Sequence, residues 1–269
     1  MTGAGCPSDF RDRLHAGPPL IGTWVKTPHR LVSELLAGTE LDCLCLDEEH
    51  APFDRSELDG SVFACRASAM PVLVRVRDAS PAHILNALDL GATGVLVPHV
   101  RSGDEAEAAV RHSLFGPSGR GYAGSTRGAG FTRKTMADHR SESASRTVIV
   151  AQIEDADAVG RIDEICSVDR LDCLFIGRAD LAVSLGCQSM SDPAVVDAVG
   201  AIVSTAIKRQ RTVGMFVSDM DEVPRWVEAG VRFFLLSSDQ AFLLNGAWRL
   251  RQSFDTLTEQ AREKPRNTK

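Results

Sequence analysis

Short apolar runs of strand length recur along the chain and alternate with segments of helical periodicity. They are nearly continuous in Val, Ile and Leu, which is typical of strands buried on both faces of a parallel sheet. Eight such strand–helix units predict a (β/α)8 TIM barrel, with a doubly wound open sheet as the alternative. The runs span residues 21–26, 43–47, 71–76, 94–100, 148–154, 173–177, 212–217 and 233–238.

Helix-start signals fall between these runs. Ser80-Pro81 and Asp192-Pro193 each place a capping residue before a proline, and Ser102 with Glu105 has the spacing of a capping box. Each signal precedes a segment with apolar residues at helical spacing, so we expect a helix to begin at each of them.

Composition limits the kind of protein that the chain can be. The 269 residues carry a formal net charge of −6, and no clustered basic stretch indicates nucleic-acid binding. No run approaches the ~18 apolar residues of a membrane span. We therefore expect a cytoplasmic protein that acts on small molecules, with neither nucleic acid nor membrane as a partner. A single domain is predicted over residues 1–255, followed by a charged, disordered tail at 256–269.

Polar and charged residues follow the apolar runs at their carboxyl ends. In a barrel, the loops that leave these ends converge on one mouth. We therefore predict that the side chains there lie around a single pocket. The segments are Asp47–His50, Arg75–Asp78, Pro98–His99, Gln152–Glu154 and Gly177–Asp180.

Two of these residues are candidate metal ligands. About one strand–helix unit separates Glu154 from Asp180, so adjacent strands would bring the two carboxylates together. Hard oxygen ligands without Cys or His suit Mg²⁺, Mn²⁺ or Co²⁺. The alternative is structural, with Glu154 paired to a basic side chain and Asp180 capping a helix.

Candidate catalytic residues come from the second and third runs. His50 beside Asp47 could form a dyad that moves a proton, although a single histidine is usually a satisfied loop residue. Arg75 lies inside an apolar run, where an unpaired cation is costly to bury. Asp89, on the following helix, is the expected charge partner of Arg75, and a bound carboxylate or enolate oxygen is the functional alternative.

A glycine-rich segment at residues 116–131 follows the fourth unit. Its "GRGYAG" matches a dinucleotide-binding pattern, but it follows a helix rather than a strand, so we discount that function. We predict a lid or substrate-contacting loop, with Arg120 as a candidate anion clamp.

Several separated motifs resemble one known family. "LDEEHAPFD", "AQIED" and "FIGRADLAVSLG", in this order, are similar to motifs of the HpcH/HpaI aldolases, which are metal-dependent pyruvate aldolases. The resemblance extends from Gly22 to Gly246. It implies a (β/α)8 barrel, commonly with the last helix exchanged between subunits, in a homo-oligomer such as a hexamer or trimer.

The resemblance also implies roles for individual residues. Glu154 and Asp180 would hold the divalent cation, and His50 would transfer protons together with Asp47. Arg75 would contact the keto or enolate oxygen.

Further matching positions complete this implied site. Asp89 matches the family's helix aspartate, whereas Gln152 and the backbone from Gly177 to Ala179 would line the pyruvate site. Arg178 stands where the family commonly has proline, which bears on the choice of acceptor.

The implied activity is cleavage or formation of a 4-hydroxy-2-oxo acid from pyruvate, or a close 2-oxo acid, and an aldehyde. One alternative is a lyase that acts on a CoA thioester, like citrate lyase β-subunits and malyl-CoA lyases. Another is a biosynthetic enzyme that uses the same enolate for condensation or decarboxylation. A barrel that binds a metal or an acid without turnover is the non-enzymatic alternative.

Overall fold

The computed structural model describes residues 9–263, which fold into a closed barrel of eight parallel strands in chain order. Each strand pairs with the next, and β1 pairs with β8 to close the barrel. The predicted (β/α)8 barrel is thus confirmed, and the open sheet is excluded. The strands are β1 Leu20–Val25, β2 Cys43–Asp47, β3 Val72–Arg75, β4 Gly94–Val97, β5 Val148–Ile153, β6 Cys173–Ile176, β7 Thr212–Val217 and β8 Phe233–Ser238.

All eight apolar runs become strands, and the fourth shows the largest change at its end. β4 stops at Val97, whereas the run continues to residue 100. Pro98 has no N–H to donate to a neighbouring strand, and His99 adopts a positive φ of 54°. The chain therefore turns at the barrel mouth at this point.

Helices connect the strands and cover the barrel. Ser80 precedes α4, and the Ser102 hydroxyl accepts the Glu105 N–H at 3.2 Å at the start of α5. Helix α10 begins at Pro193, directly after Asp192. The helices are α1 Phe10–His15, α2 Arg30–Ala37, α3 Arg55–Ala67, α4 Pro81–Asp89, α5 Gly103–Ser113, α6 Met136–Arg146, α7 Ala156–Val159, α8 Ile162–Ser167, α9 Arg178–Ser184, α10 Pro193–Lys208, α11 Val223–Glu228 and α12 Asp239–Glu263, with a 3₁₀ turn at Met220–Glu222.

The inside of the barrel is a packed core of its own. Helix α1 closes the amino end of the barrel with Phe10, whose ring meets that of Phe233 edge to face with 6.3 Å between centroids. Phe175 packs against the rings of both Phe233 and Trp24 nearer the mouth. Because the interior is filled, a substrate cannot enter the barrel, and the loops at the carboxyl ends of the strands are the expected place for an active site.

The last helix runs beyond the predicted domain boundary. Helix α12 continues to Glu263, so residue 255 lies inside it and the segment 256–263 is helical rather than a separate tail. The rest of the predicted tail lies outside the described residues. Over the part of the chain that the structure describes, no helix combines the length and the apolar character needed to cross a membrane.

The space around Gly94 shows how tightly neighbouring strands pack. A Cβ at this position would lie 2.1 Å from the carbonyl oxygen of Val148 on the neighbouring strand. We expect Gly94→Ala to lower the free energy of unfolding by about 3 kcal/mol, because backbone must move to relieve the clash. Urea denaturation measures this change. Gly200→Ala in α10 is the control, since no atom outside the surrounding turns of its own helix lies within 4 Å of the new Cβ, and it should be neutral or stabilising. Equal effects would contradict the packing described here.

Candidate active site at the barrel mouth

The turn after β2 is held by its own aspartate. Asp47 is fully buried, and its Oδ1 accepts the backbone N–H of His50 at 3.1 Å. The His50 imidazole is 55% exposed, and its Nε2 lies 3.8 Å from Oε2 of Glu49. The predicted side-chain dyad of His50 with Asp47 is therefore wrong in its geometry, because Asp47 fixes the turn and the imidazole points to Glu49.

Arg75 is the main partner of Asp47. Its Nε and Nη2 donate to the two oxygens of Asp47 at 2.9 and 2.7 Å, and Lys26 Nζ lies 3.1 Å from Oδ2. The Arg75 guanidinium also stacks on the Trp24 ring, 4.4 Å from its centroid. Arg75 therefore has Asp47 as its charge partner. The predicted pairing with Asp89 is wrong, because register places Arg75 directly beside Asp47 on the adjacent strand.

The pair of Arg75 and Asp47 fixes the charge of both groups. Burial alone would raise the pKa of Asp47, but the hydrogen bonds and charge of Arg75 outweigh it and lower the pKa below its ordinary value. Arg75 Nη1 also lies 3.2 Å from Oε2 of Glu49. The guanidinium therefore joins two carboxylates and keeps an edge toward the mouth cavity.

A cluster of Glu49, His99 and Glu154 forms a second group at the mouth. One ligand atom from each lies within 4.8 Å of the others, a spacing that can hold a metal ion. The His99 backbone N–H donates to Glu154 Oε1 at 3.0 Å, and its ring Nε2 lies 3.5 Å from Glu49 Oε1. Glu49 and His99 belong to the predicted polar strand ends, but no role was predicted for either residue. The sequence feature that could have identified them is their position just after β2 and β4.

Like charges accumulate in this cluster. Burial raises the pKa of Glu154 and of Glu49 above their ordinary values. The charge of Asp180 raises both further, Glu49 adds to the rise at Glu154, and Asp47 adds to the rise at Glu49. Burial alone would lower the pKa of His99, but its hydrogen bond to Asp155 and the surrounding carboxylates raise it. The cluster is therefore short of positive charge.

The residues around the cluster fit a divalent cation. Oε2 of Glu49 is buried and accepts no hydrogen bond, although the Arg75 charge lies 3.2 Å away. A Cβ at Gly177 would lie 2.6 Å from Oε2 of Glu154, so only glycine leaves this side of Glu154 open. Gln152 Nε2 donates to the same Glu154 oxygen and orients it. Carboxylate oxygens with at most one imidazole suit Mg²⁺ or Mn²⁺, and the imidazole adds affinity for later transition metals.

The predicted metal pair is only partly brought together. Glu154 is 2% exposed and belongs to the cluster. Asp180 is exposed, lies in the first turn of α9 and is not a member of the cluster, although its charge reaches both Glu49 and Glu154. Both residues thus lie at the mouth, with Asp180 on its outer side.

A cavity of about 520 Å³ lies beside the cluster at the mouth. Arg178 is 6% exposed and is held by Glu222 through contacts of 2.6 and 3.1 Å. This pair is fixed by α11, since Trp226 also donates to Glu222. The cavity brings together a majority of the predicted site residues: His50, Arg75, Gln152, Gly177, Arg178, Ala179 and Asp180.

Two predicted site residues lie elsewhere. Arg120 is buried against the Phe115 ring, 3.9 Å from its centroid, and lines a different cavity. Asp89 is half-buried at the end of α4, and Arg120 is the strongest charge acting to lower its pKa, which burial raises. The expectation that Arg120 clamps a substrate at the mouth is wrong for the described chain, because the glycine-rich segment folds along the outside of the barrel.

Fold and site together define a class: a (β/α)8 enzyme with a candidate metal centre of carboxylates and one imidazole at its mouth. The model of the HpcH/HpaI aldolase/citrate lyase family matches residues 20–246. The chain is 33% identical over 243 residues to the hydroxypyruvate/pyruvate aldolase of Paraburkholderia phytofirmans, covering 87% of this chain and 93% of that protein. It is 32% identical over 250 residues to the 5-keto-4-deoxy-D-glucarate aldolase of Shigella boydii, covering 92% and 96%.

A solved structure agrees with these relatives. The HpcH/HpaI aldolase/citrate lyase family protein from Burkholderia cenocepacia superposes with a TM-score of 0.87 at 32% identity, over 92% of this chain and 99% of that one. The chain belongs to the HpcH/HpaI aldolase/citrate lyase family. The prediction of an aldolase-type carbon–carbon lyase is confirmed, and the thioester alternative is less supported because the two relatives are named aldolases.

The Asp47 pair makes stability depend on pH in a defined direction. Asp47→Asn removes the negative charge that pairs with Arg75 and leaves only Glu49 near the buried guanidinium, so we expect the free energy of unfolding to fall by about 3 kcal/mol at neutral pH. The folded pKa of Asp47 is depressed. The stabilisation is therefore fully present above the unfolded pKa near ~4 and is lost as pH falls through the folded pKa.

Urea denaturation of both proteins between acidic and neutral pH measures this difference. Asp163→Asn is the control, because Asp163 pairs with Arg209 on the surface. A gap between wild type and Asp47→Asn that stays constant into strong acid would contradict the assignment.

Proposed function

We propose that this chain is a divalent-metal-dependent aldolase that splits a 4-hydroxy-2-oxo acid into pyruvate, or a close 2-oxo acid, and an aldehyde, or joins them. The observation that carries the proposal is the approach of ligand atoms from Glu49, His99 and Glu154 to within 4.8 Å of one another, next to a cavity that Arg75 and Gln152 line. The named activities of the two aldolase relatives support the same substrate class.

The metal would be held mainly by Glu154, with Glu49, His99 and Asp180 around it. A divalent cation bound there would supply positive charge that polarises the 2-oxo group of the substrate. Mg²⁺, Mn²⁺ and Co²⁺ all suit this set of donors.

Arg75 would stabilise negative charge on the substrate. Asp47 accepts one N–H from Nε and one from Nη2, and Nη1 lies 3.2 Å from Glu49. Nη1 and Nη2 carry two N–H groups each, so one N–H on each of them is left to donate to an anionic oxygen. The Asp47 contacts and the Trp24 ring fix the orientation of this donor before substrate arrives. A donor held in place needs no reorganisation as charge develops, which is the condition for effective electrostatic catalysis.

His50 would move the proton. Its imidazole lines the cavity and is more than half exposed, so it can reach a bound hydroxyl. In cleavage, His50 takes the proton of the C4 hydroxyl, the C3–C4 bond breaks, and the aldehyde leaves. The electron pair of that bond moves onto the 2-oxo group. His50 then returns the proton to C3, which becomes the methyl group of pyruvate, and the imidazole is neutral again.

Turnover tests this function directly. The protein is incubated with Mg²⁺, Mn²⁺ or Co²⁺ and a panel of 4-hydroxy-2-oxo acids, and pyruvate release is followed. We expect metal-dependent release that Glu154→Gln lowers by about 10²-fold or more, because the variant keeps the shape and loses the charge of a ligand.

Glu107→Gln is the matched control, since Glu107 is an exposed glutamate on α5, and it should retain full activity. The absence of metal-dependent pyruvate release from any member of the panel, and of metal-dependent exchange of the pyruvate methyl protons, would reject the aldolase function.

The proposal includes a homo-oligomer built through α12. This helix carries large apolar side chains that are between 42% and 74% exposed, which is unfavourable for a helix that stays in water. A second copy of the chain can cover this surface in a trimer or hexamer. The side chains are Phe242, Leu243, Leu244, Trp248, Leu250, Phe254 and Leu257.

Sedimentation or light scattering tests the role of α12. Trp248→Glu places a charge in the apolar surface, so we expect the oligomer to dissociate at protein concentrations where the wild type stays assembled. Gln188→Glu adds the same charge at an exposed polar position outside α12 and should leave assembly intact. A monomeric wild type would contradict the proposal.

A further inference from the structure

A second cavity, of about 310 Å³, lies on the outer wall of the barrel. Thr93 and Thr147 line it, and these residues directly precede β4 and β5. The cavity is therefore near the amino ends of the strands, whereas the mouth is at their carboxyl ends. The glycine-rich segment and helix α6 form its outer side, and it shares no lining residue with the mouth cavity.

The lining of this outer cavity is strongly cationic. Four basic side chains line it, together with one carboxylate, Glu142. The chain as a whole carries a net charge of −6, so this excess is local. Glu142 contacts Lys134, and Arg146 lies 4.0 Å from the same oxygen. The four basic residues are Arg66, Arg120, Lys134 and Arg146.

Two of the arginines have no carboxylate partner within residues 9–263. Arg66 Nη1 donates to the neutral carbonyl of Gly91 at 3.0 Å. Arg120 is only 7% exposed, its Nε has no hydrogen-bond partner, and its Nη1 reaches the Ser113 carbonyl only at 3.5 Å. The charge of Asp89 acts on Arg120 without a hydrogen bond, and burial lowers the pKa of Arg120 to about 10. A buried guanidinium in this state is costly unless an anion joins it.

Neutral donors complete the lining of the outer cavity. His139 is 4% exposed, and its Nδ1 has no partner. Burial and the charges of Arg120 and Lys134 lower the pKa of His139, which keeps the ring neutral. Ser143 and Thr147 are buried beside it, with 3.3 Å between their hydroxyl oxygens. Guanidinium, ammonium, imidazole and hydroxyl donors around one cavity are the groups that bind phosphate.

We propose that this outer cavity binds a dianionic phosphate group, either as inorganic phosphate or as the phosphate of a small metabolite. The excess of cationic groups matches a dianion better than a single carboxylate. The ligand would join Arg120 of the glycine-rich segment, and Lys134 just after it, to His139 of α6 and Arg66 of α3. Binding would therefore stabilise the folded chain and fix that segment, independently of the reaction at the mouth.

Isothermal titration calorimetry on the full-length, metal-free protein tests this site, with inorganic phosphate and glycerol 3-phosphate as separate probes at constant ionic strength. We expect Arg66→Gln to weaken binding by about tenfold, which corresponds to one charge-assisted hydrogen bond. Tighter binding of the ester would indicate a metabolite, and tighter binding of phosphate would indicate the free ion.

Glu142→Gln is the more discriminating variant. It removes the one carboxylate that lines the cavity and leaves the Lys134 ammonium available to an anion. It should tighten phosphate binding several-fold, which a damaged fold cannot do. Arg140→Gln, an exposed arginine on the same helix, is the control and should bind like the wild type. Absence of binding by the wild type at millimolar phosphate would overturn the proposal. Unchanged affinity in both Arg66→Gln and Glu142→Gln would also overturn it.

Discussion

Repulsion between carboxylates is the constraint on which the mouth of this barrel depends. Closure of the barrel brings Glu49 and Glu154 from different strand ends together, and the charge of Asp180 reaches both. Burial weakens the screening that water would provide, so these charges need a cation or protons between them. The structure supplies one imidazole, from His99, at the edge of the group. The geometry is therefore that of a site prepared for a positively charged ligand.

The ion pair of Arg75 and Asp47 lies beside these carboxylates, and within it the positive and negative charges balance. It neutralises two buried charges, anchors the turn that carries Glu49 and His50, and leaves guanidinium N–H groups facing the cavity. One aspartate thus connects the register of β2 and β3 to the orientation of the substrate-binding donor. A site built from strand ends is rigid because the sheet itself sets the separation of its side chains.

Much of the fold could be predicted from the sequence, because every strand of a parallel barrel is buried on both faces and reads as a continuous apolar run. The location of the site followed from the same pattern, since the polar residues stand where those runs end. Side-chain partners could not be predicted. Whether Arg75 meets Asp47 or Asp89 depends on strand register, and whether the His50 ring meets Asp47 depends on which donors that carboxylate has already bound. The path of the glycine-rich segment was equally inaccessible, because glycine permits too many backbone conformations. Arg120 was therefore expected at the mouth, whereas it lies on the outer wall.

Anomalous diffraction from crystals grown with Mn²⁺ and oxalate is the most direct measurement of the central claim. Oxalate has the two adjacent oxygen donors of a 2-oxo acid and cannot be cleaved, so it keeps the complex in one state. The account predicts a single strong manganese peak at the mouth, in contact with a carboxylate oxygen of Glu154, with oxalate beside Arg75. A mouth without manganese at saturating concentrations, and with the Glu49 and Glu154 carboxylates still together, would contradict it.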